Sequence, residues 1–373
     1  MSATPLISII LGTRPEAIKL APVIQTLQAA PDFDVQVVLT GQHREMVQQV
    51  MDLFEIQPDI DLDIMQPRQS LTDITERSLR GLETYFRDRQ PQFAIVQGDT
   101  TTAFAAALAA FYHQIPVGHV EAGLRTDDLF NPYPEEANRR LISQLATWHF
   151  APTTKAVENL KRSDAIGQII QTGNTVIDAL LQVAARNLPC PIPGLEWEKH
   201  RVLLVTVHRR ENWGAALDTI AAACLELLDT FLDTAIVLPL HRNPVVREPL
   251  KNHLDAHPRA WLTEPLDYGN LVGALQRCTL VLSDSGGIQE EAPGLGKPVL
   301  VLRETTERPE AIAAGTAKLV GTETETIVTE ATRLLTDKDA YENMSRAVNP
   351  FGDGKASDRI LEALRSSITS EFR

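Results

Sequence analysis

Three carboxylates follow apolar runs of the sequence at points where a strand would end. Asp99 comes just after FAIVQG, Glu121 just after PVGHV, and Glu135 lies in the segment NPYPEE ahead of a helical pattern. Carboxylates placed in this way suit general acid/base catalysis, because they can exchange protons with a reacting group. Two structural alternatives remain open at this point. Asp99 could cap the helix that begins TTTAF, and one glutamate of the PEE segment could merely complement the helix dipole.

A second chemical signal lies in residues 283–310, which read SDSGGIQEEAPGLGKPVLVLRETTERPE. Ser285 and Gly286 begin a glycine turn that opens a helix after an apolar strand, and free N–H groups at a helix N terminus favour a phosphate or diphosphate. Glu291 lies more than one turn further along, where its carboxylate can accept hydrogen bonds from a ribose diol. For the glycine turn alone, an ordinary turn with solvated glutamates would be the better interpretation. Arg308, at the start of another helix, tips the balance toward a nucleotide site.

Cations also follow the first strand. The run LISIIL is followed by GTRPEAIK, in which Arg14 and Lys19 lie at or near the amino end of a helix and Pro15 suits its first turn. Two cations at this place can reach a bound anion. A first turn that binds NAD would usually read G-x-G-x-x-G, and this one does not. We therefore expect no cofactor, and no metal site.

Histidines and arginines occupy further strand ends. His43 follows the second strand, where ligand binding and a capping or solvated role are about equally good interpretations. His208 and Arg209 follow the apolar run RVLLVTV, and His241 holds the corresponding place after AIVLPL. Arg68 lies in a polar, irregular segment, and pattern alone assigns it no role.

The elements that must position these residues are strands that alternate with helices along the chain. This alternation predicts an α/β fold with two Rossmann-like parallel-sheet domains that face each other across a central cleft. The proline-rich residues 189–194 indicate a linker, which predicts a first domain at 1–188 and a second at 195–352. The final segment, 353–373, is expected to form a helix that packs back on the first domain. Open α/β sheets bind ligands at the carboxyl ends of their strands, where the candidate residues lie.

Composition limits the classes of function. The chain has 373 residues and 43% hydrophobic content, enough for two domains with substantial cores. Its net charge is -14, from 35 Lys and Arg against 49 Asp and Glu, and no long basic run is present, which argues against a nucleic-acid partner. No apolar run approaches the length of a membrane span, and the three widely separated cysteines are expected to be reduced. We therefore expect a cytoplasmic protein with no membrane partner.

Taken together, the motifs resemble one enzyme family. From about residue 11 to residue 310 the chain is similar to the non-hydrolysing UDP-N-acetylglucosamine 2-epimerases, in GTRPEAIKLAP, TGQHREM, VQGDTTT, HVEAGLRT, PEEANR, TGNTVIDAL, HRRENWG, DSGGIQEEAPGLGKPVL and TTERPEA. The resemblance implies the two-Rossmann GT-B arrangement, usually as a homodimer. It also implies interconversion of UDP-N-acetylglucosamine and UDP-N-acetylmannosamine, which supplies activated N-acetylmannosamine for cell-surface polysaccharide synthesis. Two departures are visible: Gly41 where alanine is frequent, and Tyr133 where tryptophan is common.

The same resemblance implies roles for the candidate residues. Asp99, Glu121 and Glu135 would form the acid/base set, with His208 assisting at the diphosphate. The residues that would hold UDP are Arg14, Lys19, Ser285, Gly286, Glu291 and Arg308. Some bacterial members bind a second UDP-N-acetylglucosamine as an activator, and the residues that resemble this site are Gln42, His43, Arg68, Arg209 and His241. Glu45 stands where some of those members carry Gln, so regulation is open.

The reaction sets what the site must contain. No neighbouring carbonyl acidifies the hydrogen on carbon 2 of an N-acetylhexosamine, so inversion needs either transient oxidation or departure of the anomeric UDP. Elimination to a 2-acetamidoglucal and re-addition of UDP require acid/base groups on opposite faces of the sugar, with cations and helix ends to stabilise the diphosphate. Which carboxylate removes the proton and which returns it is open. Three rival functions also remain: a retaining glycosyltransferase, a hydrolysing epimerase and a non-catalytic UDP-sugar sensor.

Overall fold

The computed structural model describes residues 4–66, 68–126 and 128–371, so residues 1–3 and 372–373 of the predicted domains lie outside the described residues. Buried apolar runs form strands, and each strand is followed by a helix. The strands are β1 (Leu6–Leu11), β2 (Asp34–Leu39), β3 (Ile60–Asp61), β4 (Phe93–Gln97), β5 (Val117–Val120), β6 (Trp148–Ala151), β7 (Gln168–Gln171), β8 (Arg201–Thr206), β9 (Thr234–Pro239), β10 (Ala260–Thr263), β11 (Leu280–Ser283), β12 (Val299–Val301) and β13 (Ala317–Leu319). The helices are α1 (Arg14–Gln28), α2 (Arg44–Phe54), α3 (Leu71–Arg89), α4 (Thr101–Tyr112), α5 (Glu135–Ser143), α6 (Thr154–Arg162), α7 (Thr175–Ala185), α8 (Ala215–Thr230), α9 (Pro244–Leu254), α10 (Tyr268–Arg277), α11 (Gly286–Gly294), α12 (Pro309–Ala313), α13 (Thr324–Thr336), α14 (Lys338–Ser345) and α15 (Ala356–Glu371).

The chain forms two compact units. Unit 1 comprises Met1–Ala179 and Phe351–Arg373, and unit 2 comprises Leu180–Pro350. The division falls inside α7, ahead of the residues 189–194 that the sequence indicates as a linker. Within unit 1, α15 contacts α1, and Arg365 pairs with Asp32 at 2.6 Å.

Unit 1 is built on a seven-stranded parallel sheet in the order β3-β2-β1-β4-β5-β6-β7. β1 pairs with β2 on one side and with β4 on the other, so the strand order reverses between β1 and β4. In open α/β sheets the crevice at such a reversal, outside the carboxyl ends of the strands, is where ligands bind. Arg14 follows β1 and Asp99 follows β4, so both lie at this point.

Alanine side chains explain the close packing beside this crevice. Ala105, Ala106 and Ala107 of α4 are fully buried, and α4 packs against Leu82 and Phe86 of α3. Small side chains let the helix lie close to the sheet, so the turn before α4 is held by a packed element.

Unit 2 repeats the arrangement with a six-stranded parallel sheet in the order β10-β9-β8-β11-β12-β13. The order reverses between β8 and β11, which pair directly, and these strands lead into the turns of His208 and Ser285. Buried leucines and isoleucines of α8, α9 and α13 cover the sheet, among them Leu217, Leu250 and Ile327. The two parallel sheets confirm the predicted α/β fold with two Rossmann-like domains. None of the described helices is both long and apolar enough to cross a membrane.

Candidate active site

Glu121 is held on a strained turn directly after β5. Its φ is 64° and it is only 8% exposed. A non-glycine residue in the left-handed region costs energy and persists where its surroundings fix it, often at functional sites. Lys19 Nζ lies 2.5 Å from Oε1, Gln97 donates to Oε2 at 2.5 Å, and Asn174 donates to Oε1 at 3.1 Å. The carboxylate is therefore fixed at the carboxyl edge of the unit 1 sheet, beside a cation that the sequence assigned to UDP.

Asp99 lies in the turn after β4 and is not the helix cap. The N-cap of α4 is Thr100, whose hydroxyl accepts the N–H of Ala103 at 2.9 Å, so the capping alternative for Asp99 is wrong. The carboxylate of Asp99 instead pairs with Arg139, whose Nη2 and Nε lie 2.6 and 2.8 Å from Oδ2. Its side chain is 26% exposed, so it is both anchored and accessible.

Glu135 and Glu136 have different surroundings. Glu135 is the first residue of α5 rather than a loop residue as expected, and its buried Oε2 has no hydrogen-bond partner among the described residues. Glu136 is fully buried and accepts from Thr126 N at 3.0 Å, Arg140 Nε at 2.8 Å and Arg139 Nη1 at 3.3 Å. Glu136 thus has the structural role, and Glu135 keeps an oxygen for chemistry.

Glu16, which the sequence reasoning missed, closes the turn between β1 and α1. It is 1% exposed; its Oε2 accepts the N–H groups of Gly12 at 2.8 Å and Thr13 at 2.6 Å, and its Oε1 accepts the Thr100 hydroxyl at 2.5 Å. Burial raises the pKa of this carboxyl, against the opposing effect of these hydrogen bonds. N–H groups that would face a phosphate in a dinucleotide-binding domain are therefore occupied. The signal was the capping-box pattern T-x-x-E at residues 13–16.

Hydrogen bonds join the turn after β2 to its neighbours. His43 N donates to Gly12 O at 2.9 Å, and the Thr102 hydroxyl donates to Gln42 Oε1 at 2.7 Å. Burial, and then the charge of exposed Arg14, lower the pKa of His43. Two residues of the predicted activator site thus contact the turn that leads into Arg14 and the first turn of α4.

In unit 2, His208 is oriented by Asp284, a buried residue that the sequence reasoning missed. Nδ1 of His208 lies 3.0 Å from Oδ1 of Asp284. Oδ2 of Asp284 accepts the backbone N–H groups of His208 and Arg209, each at 2.9 Å, and the Asn212 side-chain amide at 3.0 Å. Burial acts to raise the pKa of Asp284, but the hydrogen bonds and charge of His208 and the backbone N–H groups outweigh it, so the pKa lies below its ordinary value. An ionised Asp284 keeps the proton on Nδ1 of His208 and leaves Nε2 for a ligand. The available signal was an acidic residue immediately after an apolar strand.

Two guanidinium groups approach the N terminus of α11. The helix begins at Gly286, and its N-cap Ser285 makes no side-chain capping bond. A Cβ at Gly286 would lie 3.5 Å from Nη2 of Arg209 and 3.9 Å from Cζ of Arg308, which also pairs with Glu290. Helix N–H groups beside two cations form an arrangement suited to a diphosphate. Arg209, assigned by resemblance to the activator site, thus lies beside Gly286, one of the predicted UDP residues.

Glu291 lies one turn behind this helix end and is 6% exposed. Its Oε1 accepts the hydroxyl of Tyr268 at 2.9 Å, and its Oε2 lies 3.7 Å from the Cβ position of Gly287. The side chain therefore leans back toward the helix N terminus, as helical side chains do. Burial, reinforced by Glu291, raises the pKa of Tyr268 well above its ordinary value, so the phenol stays protonated and donates. No sequence pattern indicates Tyr268 as a site residue.

The remaining residues of the predicted activator site differ in their contacts. The rings of His241 and His208 are stacked, with centroids 6.1 Å apart and planes at 24°. Burial and, second, the charge of His208 lower the pKa of His241. Arg68 is exposed between β3 and α3 and makes no hydrogen bond or ion pair with the described residues. It therefore shares no contact with the other residues of the predicted activator site.

The three cysteines, Cys190, Cys224 and Cys278, are free and buried. Burial raises the pKa of Cys224 and of Cys278 to about 12, so both are unreactive thiols of the core. Among residues 4–66, 68–126 and 128–371, no three His, Cys, Asp or Glu side chains are grouped as metal ligands would be.

Known proteins similar to this chain point to one family. The family model described as UDP-N-acetylglucosamine 2-epimerase matches residues 25–365. A UDP-N-acetylglucosamine 2-epimerase of Escherichia coli (strain K12) is 51% identical over 371 residues, with 97% of this chain and 98% of the relative covered. The chain belongs to the UDP-N-acetylglucosamine 2-epimerase family. This confirms the resemblance carried by the motifs.

Solved structures with similar sequences have the same fold. The enzyme of Neisseria meningitidis bound to UDP-GlcNAc is 48% identical, with a TM-score of 0.86, and 97% of this chain and 100% of that chain are covered. A structure from S. aureus in complex with UDP is 42% identical, with a TM-score of 0.89, and covers 98% of this chain and 97% of its own. The likeness therefore extends over both units.

Proposed function

We propose that this 2-epimerase family member interconverts UDP-N-acetylglucosamine and UDP-N-acetylmannosamine by eliminating UDP and adding it back. The observation that carries the proposal is the carboxylate set at the carboxyl edge of the unit 1 sheet, in a chain whose unit 2 presents a helix N terminus flanked by two arginines. Two relatives that are named as 2-epimerases, one of them bound to UDP-GlcNAc, and a further similar structure bound to UDP support the substrate class.

The proposed unit 1 residues transfer the proton. One carboxylate of the set Asp99, Glu121 and Glu135 takes the hydrogen of carbon 2 as a proton while the bond between carbon 1 and the UDP oxygen breaks. A double bond forms between carbons 1 and 2 of the resulting 2-acetamidoglucal. In the return step another carboxylate delivers a proton to the opposite face of carbon 2, and the UDP oxygen bonds to carbon 1 again. Lys19 stabilises the negative charge of Glu121.

The proposed unit 2 residues hold the nucleotide and take up the charge of the leaving group. Arg209, Arg308 and the N–H groups at Gly286 bind the diphosphate, whose negative charge increases as it departs, and Glu291 binds the ribose. His208, held by Asp284, directs Nε2 toward the diphosphate and donates a hydrogen bond to it when protonated. This route contains no hydride transfer and therefore needs no nicotinamide.

We also propose that the enzyme is a homodimer in the cytoplasm, where it feeds the synthesis of cell-surface polysaccharides. The exposed apolar side chains Phe111, Tyr112 and Leu141 of unit 1 support contact with a second copy, and the three free cysteines support a reducing compartment. Sedimentation at micromolar protein checks the first point, with twice the mass of the chain as the expected result.

Proton NMR of UDP-N-acetylglucosamine incubated with the enzyme in heavy water tests the reaction. We expect both UDP-sugars to be present at equilibrium, with deuterium at carbon 2, when no cofactor is added. Free N-acetylmannosamine with UDP would indicate a hydrolysing enzyme instead. An unchanged substrate would favour a glycosyltransferase or a sensor, and product without deuterium would exclude the elimination route.

A further inference from the structure

The first turns of α5 contact Asp99 at two points, its side chain and its backbone carbonyl. Nε and Nη2 of Arg139 lie 2.8 and 2.6 Å from the same oxygen, Oδ2 of Asp99. Nδ2 of Asn138 donates to the backbone carbonyl of Asp99 at 2.9 Å. One helix therefore fixes both the backbone and one carboxylate oxygen of Asp99, and it begins with Glu135, another member of the proposed acid/base set.

Arg139 is itself oriented from behind. Its third nitrogen, Nη1, lies 3.3 Å from Oε2 of Glu136, a fully buried carboxylate. Glu136 also accepts from Thr126 N and from Arg140 Nε. A buried charge with several fixed donors cannot turn without leaving them unpaired, so the Arg139 guanidinium, whose side chain is only 13% exposed, keeps one direction.

This arrangement distinguishes the two oxygens of Asp99. Oδ2 takes both bonds from Arg139, whereas Oδ1 takes no hydrogen bond from any residue that the structure describes. We propose that Arg139 is a positioning residue for the epimerase reaction: it holds Oδ2 and thereby presents Oδ1 as the oxygen that exchanges the proton with carbon 2. The inference rests on the proposed function, in which Asp99 belongs to the acid/base set.

The neighbouring arginine offers a matched control. Arg139 and Arg140 both contact Glu136, but only Arg139 contacts Asp99. In Arg139→Gln we expect kcat and the rate of deuterium entry at carbon 2 to fall about 100-fold, the usual effect of misplacing a reacting group. The KM for UDP-N-acetylglucosamine, and UDP affinity by calorimetry, should stay near wild type, because the lost contact acts in the chemical step. Arg140→Gln should keep near-normal kcat. Equal turnover in the two glutamine variants would overturn the proposal.

A conservative variant covers the case in which Arg139→Gln fails to fold. Arg139→Lys keeps the charge but replaces two converging N–H groups by one ammonium, so we expect about a tenfold lower kcat at unchanged KM. Wild-type turnover in Arg139→Lys would overturn the proposal. The wild-type enzyme in the same assay distinguishes a failure of the proposed function from a failure of this inference. If the wild type does not exchange the carbon 2 hydrogen, the proposed function is wrong. If the wild type and the Arg139 variants exchange it equally well, only the role of Arg139 is rejected.

Discussion

The turn between β1 and α1 and the turn between β11 and α11 each lie beside the strand-order reversal of their own sheet, yet their N–H groups have opposite surroundings. In unit 1, Glu16 turns back from the first turn of α1 and takes the N–H groups of Gly12 and Thr13. In unit 2 the helix starts with Gly286, its N-cap Ser285 makes no side-chain capping bond, and the guanidinium groups of Arg209 and Arg308 approach it.

One kind of supersecondary unit therefore serves two tasks in this chain. A strand–turn–helix unit offers N–H groups to an anion by default. Where the chain supplies its own anion, as with Glu16, the turn becomes a rigid support, and it is linked to the neighbouring turn through Thr100. Where the chain supplies cations instead, the turn suits a ligand that brings the anion. This contrast supports the proposal that unit 1 holds the proton-transfer groups and unit 2 holds the nucleotide.

The first prediction concerns Asp99, a member of the proposed acid/base set in unit 1. Asp99→Asn should lower turnover by roughly 100-fold or more, because the amide cannot act as a general base or acid. Stability should stay near wild type, since Thr100 rather than Asp99 caps α4. UDP affinity should also stay near the wild-type value, because the residues proposed to contact the nucleotide belong to unit 2. Steady-state kinetics, thermal melting and UDP calorimetry measure the three quantities.

Exposed Asp88→Asn, on α3, is the control for the loss of one acidic side chain from unit 1. It should retain full turnover. Near-normal turnover in Asp99→Asn would remove Asp99 from the acid/base set.

A second prediction tests the internal anion. In Glu16→Gln one carbonyl oxygen can still accept the N–H groups of Gly12 and Thr13, but the amide cannot accept the Thr100 hydroxyl on its other side. Replacing charge-assisted hydrogen bonds in a buried site should lower the free energy of unfolding by about 2 kcal/mol, as measured by urea denaturation. Turnover should fall as well, because Thr100 is the neighbour of Asp99.

The control for Glu16→Gln is Asp73→Asn, which removes the carboxylate from the exposed capping box of Ser70 on α3. It should cost less stability and leave turnover unchanged. Equal effects in the two variants would reduce Glu16 to an ordinary helix cap.

The sequence allowed the residues at strand ends to be predicted, because position after an apolar run is a local property. Asp99, Glu121, His208 and Ser285 all follow strands at the sheet edges where ligands are expected. The parallel pairing of the strands follows from their alternation with helices. Glu135 was misplaced by one element, because the two prolines ahead of it suggested a longer loop.

The partners of those residues could not be predicted. Arg139 contacts Asp99 across 40 positions, and Asp284 contacts His208 across 76. No periodicity in the sequence encodes which charged side chain meets which after folding. Capping choices were also ambiguous: in Asp99-Thr100-Thr101 any of the three could accept the first N–H of α4, and packing of the chain selects Thr100.

A third prediction tests the open turn of unit 2. The φ of Gly286 is not positive, and an added Cβ would make ordinary contacts of 3.5 Å with Arg209 and 3.9 Å with Arg308. Gly286→Ala should therefore fold normally and gain up to about 1 kcal/mol, because alanine favours a helix. The methyl group would lie where the diphosphate is proposed to bind, so UDP affinity should fall about tenfold, or about 1.4 kcal/mol. Thermal melting measures the expected gain in stability, and calorimetry on the same sample measures the expected loss of UDP affinity. Unchanged UDP affinity would show that the diphosphate does not bind at this turn.

The last prediction concerns the pH dependence of stability and contrasts one histidine from each unit. His208 in unit 2 is 40% exposed and paired with Asp284, whereas His119 in unit 1 is fully buried with Nε2 2.7 Å from Gly98 O. Burial lowers the pKa of His119 to about 3, against 6.5 for an ordinary histidine. Between these values the unfolded chain binds a proton that the folded chain does not, so the free energy of unfolding falls as the pH falls below 6.5.

Between pH 6.5 and 5.5, His119 alone should account for about 1 kcal/mol of lost stability. His119→Gln removes this titration, so its stability should fall less steeply over that interval than the wild type, even if the variant is less stable at neutral pH. His253→Gln replaces a histidine whose side chain is 43% exposed and should keep the wild-type slope. Urea unfolding at both pH values gives the three slopes. Parallel slopes for His119→Gln and the wild type would show that the buried histidine beneath the Asp99 turn does not stay neutral, and the contrast with His208 would then be one of exposure alone.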